Sequence, residues 1–242
     1  MLELFQFGPA FKLPSPSPFC IKLELLLKIA GIPYTNRYDA DVRKAPKAKL
    51  PFVIEDGNTT IADSELVMRY LTETGQYKED AWLSAEQHAQ CITITRLVEE
   101  HLYWLMVDSR WLNDEVWPLL EKEFFSGLPP LVKSIVPGIA RRQVRKTLYG
   151  QGLGRHHRDE LDYFARQDLA ALDVLLGDDD YLMGNRICSV DATVYGLLAC
   201  IYYPDFNTPL KVVALDYPRL LAYCDRITGQ YFPKYSRSEF NA

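Results

Sequence analysis

The sequence has no closely spaced cysteines, no apolar run long enough for a bilayer and no excess of positive charge, and each absence removes a class of protein. Its five cysteines, Cys20, Cys91, Cys188, Cys200 and Cys224, form no C-x-x-C and no Cys/His cluster. Neither a zinc site nor a disulfide framework is indicated, so no metal is expected. An odd number of scattered thiols suits a reducing compartment, and a cytoplasmic location is the expectation. The longest apolar stretch, 192–203, is interrupted by Thr193 and Gly196. It falls short of the ~20 residues of a membrane helix, so no transmembrane segment is expected. The opening Met1-Leu2-Glu3-Leu4 has neither the basic region nor the apolar core of a signal peptide. With 27 Lys+Arg against 32 Asp+Glu, the net charge of −5 gives no dense basic face for a nucleic-acid partner. His88, His101, His156 and His157 show no metal spacing, and Gly150–Gly154 lacks the flanking strand and Lys-Ser/Thr of a phosphate loop.

What is present is globular. With 242 residues, 48% hydrophobic and 24% charged, the chain can bury a core without staples. Residues 2–7 alternate as a strand. Pro18 opens a helix because its missing N–H is not needed at the first helical position, and Gly31 and Pro33 end it. Glu24 and Lys28 stand four apart and are expected to pair weakly. A strand over 34–39 and a basic linker, 43–49, lead to Phe52–Glu55, an Asp56-Gly57 hairpin turn and a return strand at 59–61. Asp63 then caps a helix to about Thr74. A β-α-β unit followed by β-β-α is the thioredoxin-like arrangement, predicted over 1–76. Ser84–Gln87 is a capping box, and 84–242 reads as an all-helical C-terminal domain. In it, a helix could reach Met106, 108–155 is irregular, 159–176 is helical, and 189–201 is apolar on nearly every face and so central.

Three segments could carry chemistry. Ser17 falls at the N-cap of the first helix, where the positive helix end favours an anion. A hydroxyl there can donate to a thiolate and lower a thiol pKa; the plainer reading is a cap bonded to its own helix. If Leu50-Pro51 is cis, the Leu50 backbone can pair with an extended peptide; alone, a trans proline at a strand start is the ordinary case. Ser64, opening the second helix, could hold a carboxylate, or Asp63 could simply cap. Cys20, one turn into the first helix, is either a thiol of lowered pKa or a buried, inert one. Glu99-Glu100 reads as a helix face.

Ser17-Pro18-Phe19, Leu50-Pro51 and Asp63-Ser64, in this order and spacing, resemble the glutathione transferases, and Val190-Asp191-Ala192 resembles the buried aspartate that starts their central C-terminal helix. The resemblance implies a catalytic Ser17 and a glutathione site made by Phe19, Leu50, Pro51, Asp63 and Ser64. It further implies glutathione as co-substrate, a small apolar electrophile held near aromatics such as Tyr103 or Trp104, and a homodimer. A narrower similarity, to the metaxin and failed-axon-connections branch, is carried by 17–24, 62–64, Arg141-Arg142 and 152–156. It implies the alternative of a non-catalytic adaptor on the same fold. A Cys20 thiol-transferase is a third reading, against which stands serine rather than cysteine at position 17. Two departures from the family are visible. The linker at 40–49 is short and lysine-rich, so a helix usual there is expected to be missing. Cys188 stands where a capping Ser or Thr is usual, so Ser189 is the alternative cap.

Overall fold

The structure, a computed structural model, describes residues 1–39 and 41–237; Ala40, at the start of the lysine-rich linker, and 238–242, at the end of the helical region, lie outside it. A four-stranded sheet has the order β2-β1-β3-β4. Strand β1 (Leu2–Phe5) runs parallel to β2 (Tyr34–Arg37) and antiparallel to β3 (Phe52–Glu55), which pairs antiparallel with β4 (Thr59–Ala62). Only the parallel pair needs a crossover, and α1 (Pro18–Ile29) supplies it. Asp56 and Gly57 have φ of 49° and 73°, the two positive values that a tight hairpin turn of this hand demands. Helix α2 (Ser64–Glu73) follows β4 directly. In the lysine-rich linker the structure has one 3-10 turn, Val42–Lys44.

The helical region begins with α3 (Ala85–Leu97), whose Ser84 hydroxyl accepts from the Gln87 N–H while the Gln87 side chain accepts from the Ser84 N–H. A single π turn, Val98–Leu102, joins α3 to α4 (Tyr103–Trp111), so the helical run passes Met106. The stretch 108–155 is not irregular. It holds α5 (Trp117–Phe125), α6 (Pro130–Lys133) and α7 (Val136–Gln151). Pro118, Pro130 and Pro137 lie in the first two positions of these helices, where proline starts a helix instead of breaking it. Gly150 and Gln151 belong to α7, and a 3-10 turn, Leu153–Arg155, follows, so the glycine-rich segment is not a loop.

Helices α8 (Arg158–Leu176), α9 (Ser189–Tyr202), α10 (Pro209–Ala214) and α11 (Pro218–Tyr231) complete the region. All residues of α9 are buried. Its N-cap is Cys188 and not Ser189: the Cys188 N–H donates to Asp191 Oδ2 at 2.9 Å. Asp191 Oδ1 accepts from the Leu182 N–H and the Tyr223 hydroxyl, both at 3.0 Å. Burial outweighs these donors and pushes its carboxyl up to about 6.

Helix α1 is the element both halves share. Glu24 is buried and accepts from Gln6 Nε2 (2.8 Å) and the Tyr34 hydroxyl (2.9 Å). The expected pair with Lys28 is not made; the Lys28 ammonium sits 5.0 Å from the Phe232 ring centre. On its other side α1 packs on α9 at Gly196, where a Cβ would lie 2.6 Å from the Pro18 carbonyl oxygen and 3.1 Å from the Lys22 nitrogen. Both are backbone atoms and can move only if the helices part. Gly196→Ala should therefore lower stability by about 1–3 kcal/mol, the cost of overpacking. Alanine in an open helix would instead gain roughly 1 kcal/mol. Urea denaturation gives the sign directly, and a gain would show that α1 and α9 are not in backbone contact.

Candidate active site

Ser17 is extended (φ −101°, ψ 123°) and its carbonyl accepts the Ile21 N–H, as an N-cap's should. Its hydroxyl, however, makes no capping bond. The half-buried side chain instead borders two adjoining cavities. The first, about 450 Å³, is polar, with Ser17, Phe19, Lys49, Leu50, Asp63 and Glu65 on one side and Arg96, Glu99, Tyr103 and Trp104 on the other. The second, about 370 Å³, is mostly apolar, with Met106, Val107, Arg110, Trp111, Leu120, Phe124 and Phe125 facing Pro16, Ser17 and Pro18. Tyr103 and Phe7 border both. A recess of about 120 Å³, lined by Phe19, Lys47, Lys49, Leu50, Pro51, Asp63 and Ser64, shares four of its residues with the polar cavity. A separate cavity of about 200 Å³, near Lys12, Tyr203 and Lys211, shares none.

The structure thus brings Ser17, Phe19, Leu50, Pro51, Asp63 and Ser64 around one connected space. The Leu50-Pro51 bond is cis. Asp63 has φ of 90°, a backbone state that L-residues hold only when surroundings impose it. Its Oδ1 accepts from the Glu65 and Leu66 N–H groups at 3.0 and 3.4 Å. Asp63 is therefore a helix cap, and both capping bonds fall on the same oxygen. Ser64 is buried behind it.

Cys20 lies outside this space. It is fully buried, packed with Ala45, Leu50 and Phe52. Burial pushes its thiol up, more than the Ser17 and Ser15 hydroxyls pull it down. That corrects the redox-thiol expectation: a low-pKa reactive thiol needs exposure and positive surroundings.

Several site residues were not foreseen. Glu99, expected as a plain helix face, is largely buried. It reaches the buried Lys22 ammonium at 2.8 Å, while Glu65 reaches it at 2.7 Å, so one cation ties α1, α2 and the π turn together. The hint would have been Lys22 itself, a lysine inside an apolar helix. Arg110, Trp111, Phe124 and Phe125 stood in a stretch without clear periodicity and acquire a role only when α4 and α5 fold over Ser17.

Two family models match the chain: the glutathione S-transferase N-terminal domain over residues 18–116 and the glutathione S-transferase C-terminal domain over 165–227. The isoprene-epoxide glutathione S-transferase of a Rhodococcus is 30% identical, with 96% of this chain and 99% of that protein aligned. Failed axon connections of Drosophila melanogaster (28%) and human metaxin-1 (25%) also align over 96% of this chain, which spans 58% and 51% of their lengths. Among solved structures, a beta-etherase from Sphingobium superposes with a TM-score of 0.60 at 18% identity, covering 96% of this chain and 99% of that one. A Methylobacterium radiotolerans glutathione S-transferase in complex with glutathione sulfonate gives 0.56 at 15%, covering 97% and 92%. At such identities these two speak to the fold.

The Lys22 cluster has a measurable consequence. Lys22→Met would leave Glu99 without its buried partner, and breaking such a pair costs about 3 kcal/mol or more. Glu65 is more exposed and would be partly resolvated, which argues for the lower end. Chemical denaturation measures the loss, and a change below about 0.5 kcal/mol would mean the bridge is not formed.

Proposed function

The chain belongs to the glutathione S-transferase family, and we propose that it joins glutathione through sulfur to a small apolar electrophile, with Ser17 stabilising the thiolate. The observation that carries this reading is the Ser17 hydroxyl. It sits at a helix N-terminus, is not used for capping, and stands where a polar and an apolar cavity meet. A hydroxyl donor and the positive helix end both favour an anion there, which lowers the pKa of a thiol held against them.

The groups around the polar cavity fit glutathione, which carries two carboxylates, one ammonium and a peptide backbone. Lys47 and Lys49 offer cations for a carboxylate, Ser64 opens α2 with its N–H and hydroxyl, and Asp63 offers its second oxygen to an ammonium. Leu50, before the cis proline that leads into β3, lines the recess together with Phe19. The apolar cavity suits the electrophile, and the Rhodococcus relative's name supports an epoxide. In that step an S–C bond forms and a ring C–O bond breaks; the electron pair goes to oxygen, which takes a proton from water. Conjugation of this kind belongs in a cytoplasm, where thiols stay reduced.

A second reading, an adaptor on the same fold, is favoured by the similarity to Failed axon connections and metaxin-1. A thiol-transferase reading gains nothing from the buried Cys20.

Titration calorimetry tests the first reading: glutathione should bind with a Kd between micromolar and millimolar, roughly 4–8 kcal/mol. Ser17→Ala should then raise the pKa of the bound thiol and cut turnover with an epoxide about 10²–10³-fold. No heat with 10 mM glutathione, on the order of ten times the weakest Kd expected, favours the adaptor; unchanged thiol titration in Ser17→Ala removes Ser17 from the chemistry.

A homodimer across the N-terminal domain and α3 goes with this reading, and Leu66 of α2 and Ile92 of α3 stand exposed. Light scattering should give twice the 27.8 kDa chain mass; a single chain mass at micromolar concentration contradicts it.

A further inference from the structure

Among the described residues, Arg110, on α4, is the one buried cation that the fold leaves without a carboxylate. It is 5% exposed, and no ion pair is made to it among the described residues. Lys22, buried as deeply, has Glu65 and Glu99; the more exposed Arg141 and Arg158 have Asp114 and Asp108. The groups that face Arg110 are the Cys200 thiol, the Tyr103 phenol and the Phe206 ring, 5.5 Å from its guanidinium carbon. None of them is a carboxylate, and burial pulls its pKa down from the ordinary value.

One guanidinium N–H, on Nη2, donates to the Cys200 carbonyl in the last turn of α9. That is a sensible partner, since the final carbonyls of a helix lack intrahelical donors and carry partial negative charge. It uses one of five donors. Arg110 also lines the apolar cavity beside Ser17.

We infer that this cavity selects an apolar electrophile that also carries a carboxylate, held by Arg110 while its reactive carbon faces Ser17. The inference rests on the transferase reading for its last clause alone. A neutral ligand that filled the cavity would strip water from the guanidinium and return nothing, whereas a carboxylate matches its planar fork with two parallel hydrogen bonds. Met106, Trp111, Phe124 and Phe125 supply apolar walls around that single charge, the usual division of labour in a small-molecule pocket. If Arg110 serves α9 as a C-terminal cap and nothing else, the cavity has no reason to prefer an anion.

The test uses 4-phenylbutyrate and its neutral counterpart 4-phenylbutanol, titrated calorimetrically into the full chain. The acid should bind about 10–100-fold more tightly, the range for a hydrogen-bonded charge. Arg110→Met should abolish that preference and Arg110→Lys keep part of it. Because Arg110→Met also removes a cap, Phe124→Glu provides a second variant, on a half-buried wall residue. Its negative charge should repel the acid and leave the alcohol bound. Equal binding of acid and alcohol by the unmodified chain overturns the inference, as does a preference that survives both Arg110→Met and Phe124→Glu. Glutathione titrated into the same preparation separates the two readings. Acid preference without glutathione binding leaves the anion-selective cavity standing and removes the transferase; glutathione binding without acid preference does the reverse.

Discussion

The backbone contact between α1 and α9 at Gly196 is the constraint on which the rest of the molecule depends. It fixes α1 against the buried helix of the C-terminal region, and α1 in turn carries Ser17 at its N-terminus and the sheet on its opposite flank. A helix buried on so many sides can hold charge only if each charge is answered. Glu24 is answered from below by Gln6 and Tyr34, and Lys22 from above by Glu65 and Glu99. The first set ties α1 to the sheet, the second ties it to α2 and the π turn. Lys22 and Glu24 are buried, so their hydrogen bonds and ion pairs must be made within the fold.

The π turn at Val98–Leu102 decides what faces the site. One extra residue in a helix rotates everything beyond it by about 100° relative to what precedes. Glu99 lies in that turn and meets Lys22, and Tyr103, first in α4, meets the edge of Phe19 at a ring-centre distance of 5.0 Å. The same long helical run therefore forms one wall of the polar cavity with its first part and one wall of the apolar cavity with its second. Ser17 stands at the seam. Tyr103 and Phe7 border both cavities, so the two spaces adjoin at the Ser17 side chain.

The family relationship sets the fold and leaves the activity to the site. The chain aligns along its whole length with an enzyme named for glutathione and an epoxide, and along about half of two proteins whose names state no chemistry. A shared fold carries no activity by itself. The particular features to be weighed for activity are the Ser17 hydroxyl that makes no capping bond, the polar groups about Asp63 and Lys49, and the aromatic cavity lined by Arg110.

Local sequence was enough for the N-terminal half. Strand alternation, Pro18 at a helix start, Asp56-Gly57 at a turn and Asp63 before a helix act over a few residues each, and their elements appear within one or two residues of where they were expected. Ser17, Leu50 and Asp63 were legible as candidate-site residues for the same reason: each sits at an element's end, where a backbone group is left to be used. The C-terminal region was legible where one face was apolar, as in α8 and α9, and illegible over 108–155, where prolines begin helices and large apolar residues such as Leu131 and Ile135 remain exposed. Cys20 shows the limit most simply. Its position one turn into α1 leaves a reactive or an inert thiol equally open, and only the packing of Ala45, Leu50 and Phe52 around it decides. Glu99, Lys22 and Arg110 were beyond reach for a related reason. Burial and partnership belong to residues far apart in the chain, and a charge can be known as paired, capped or left open to a cavity only after the helices that surround it have come together.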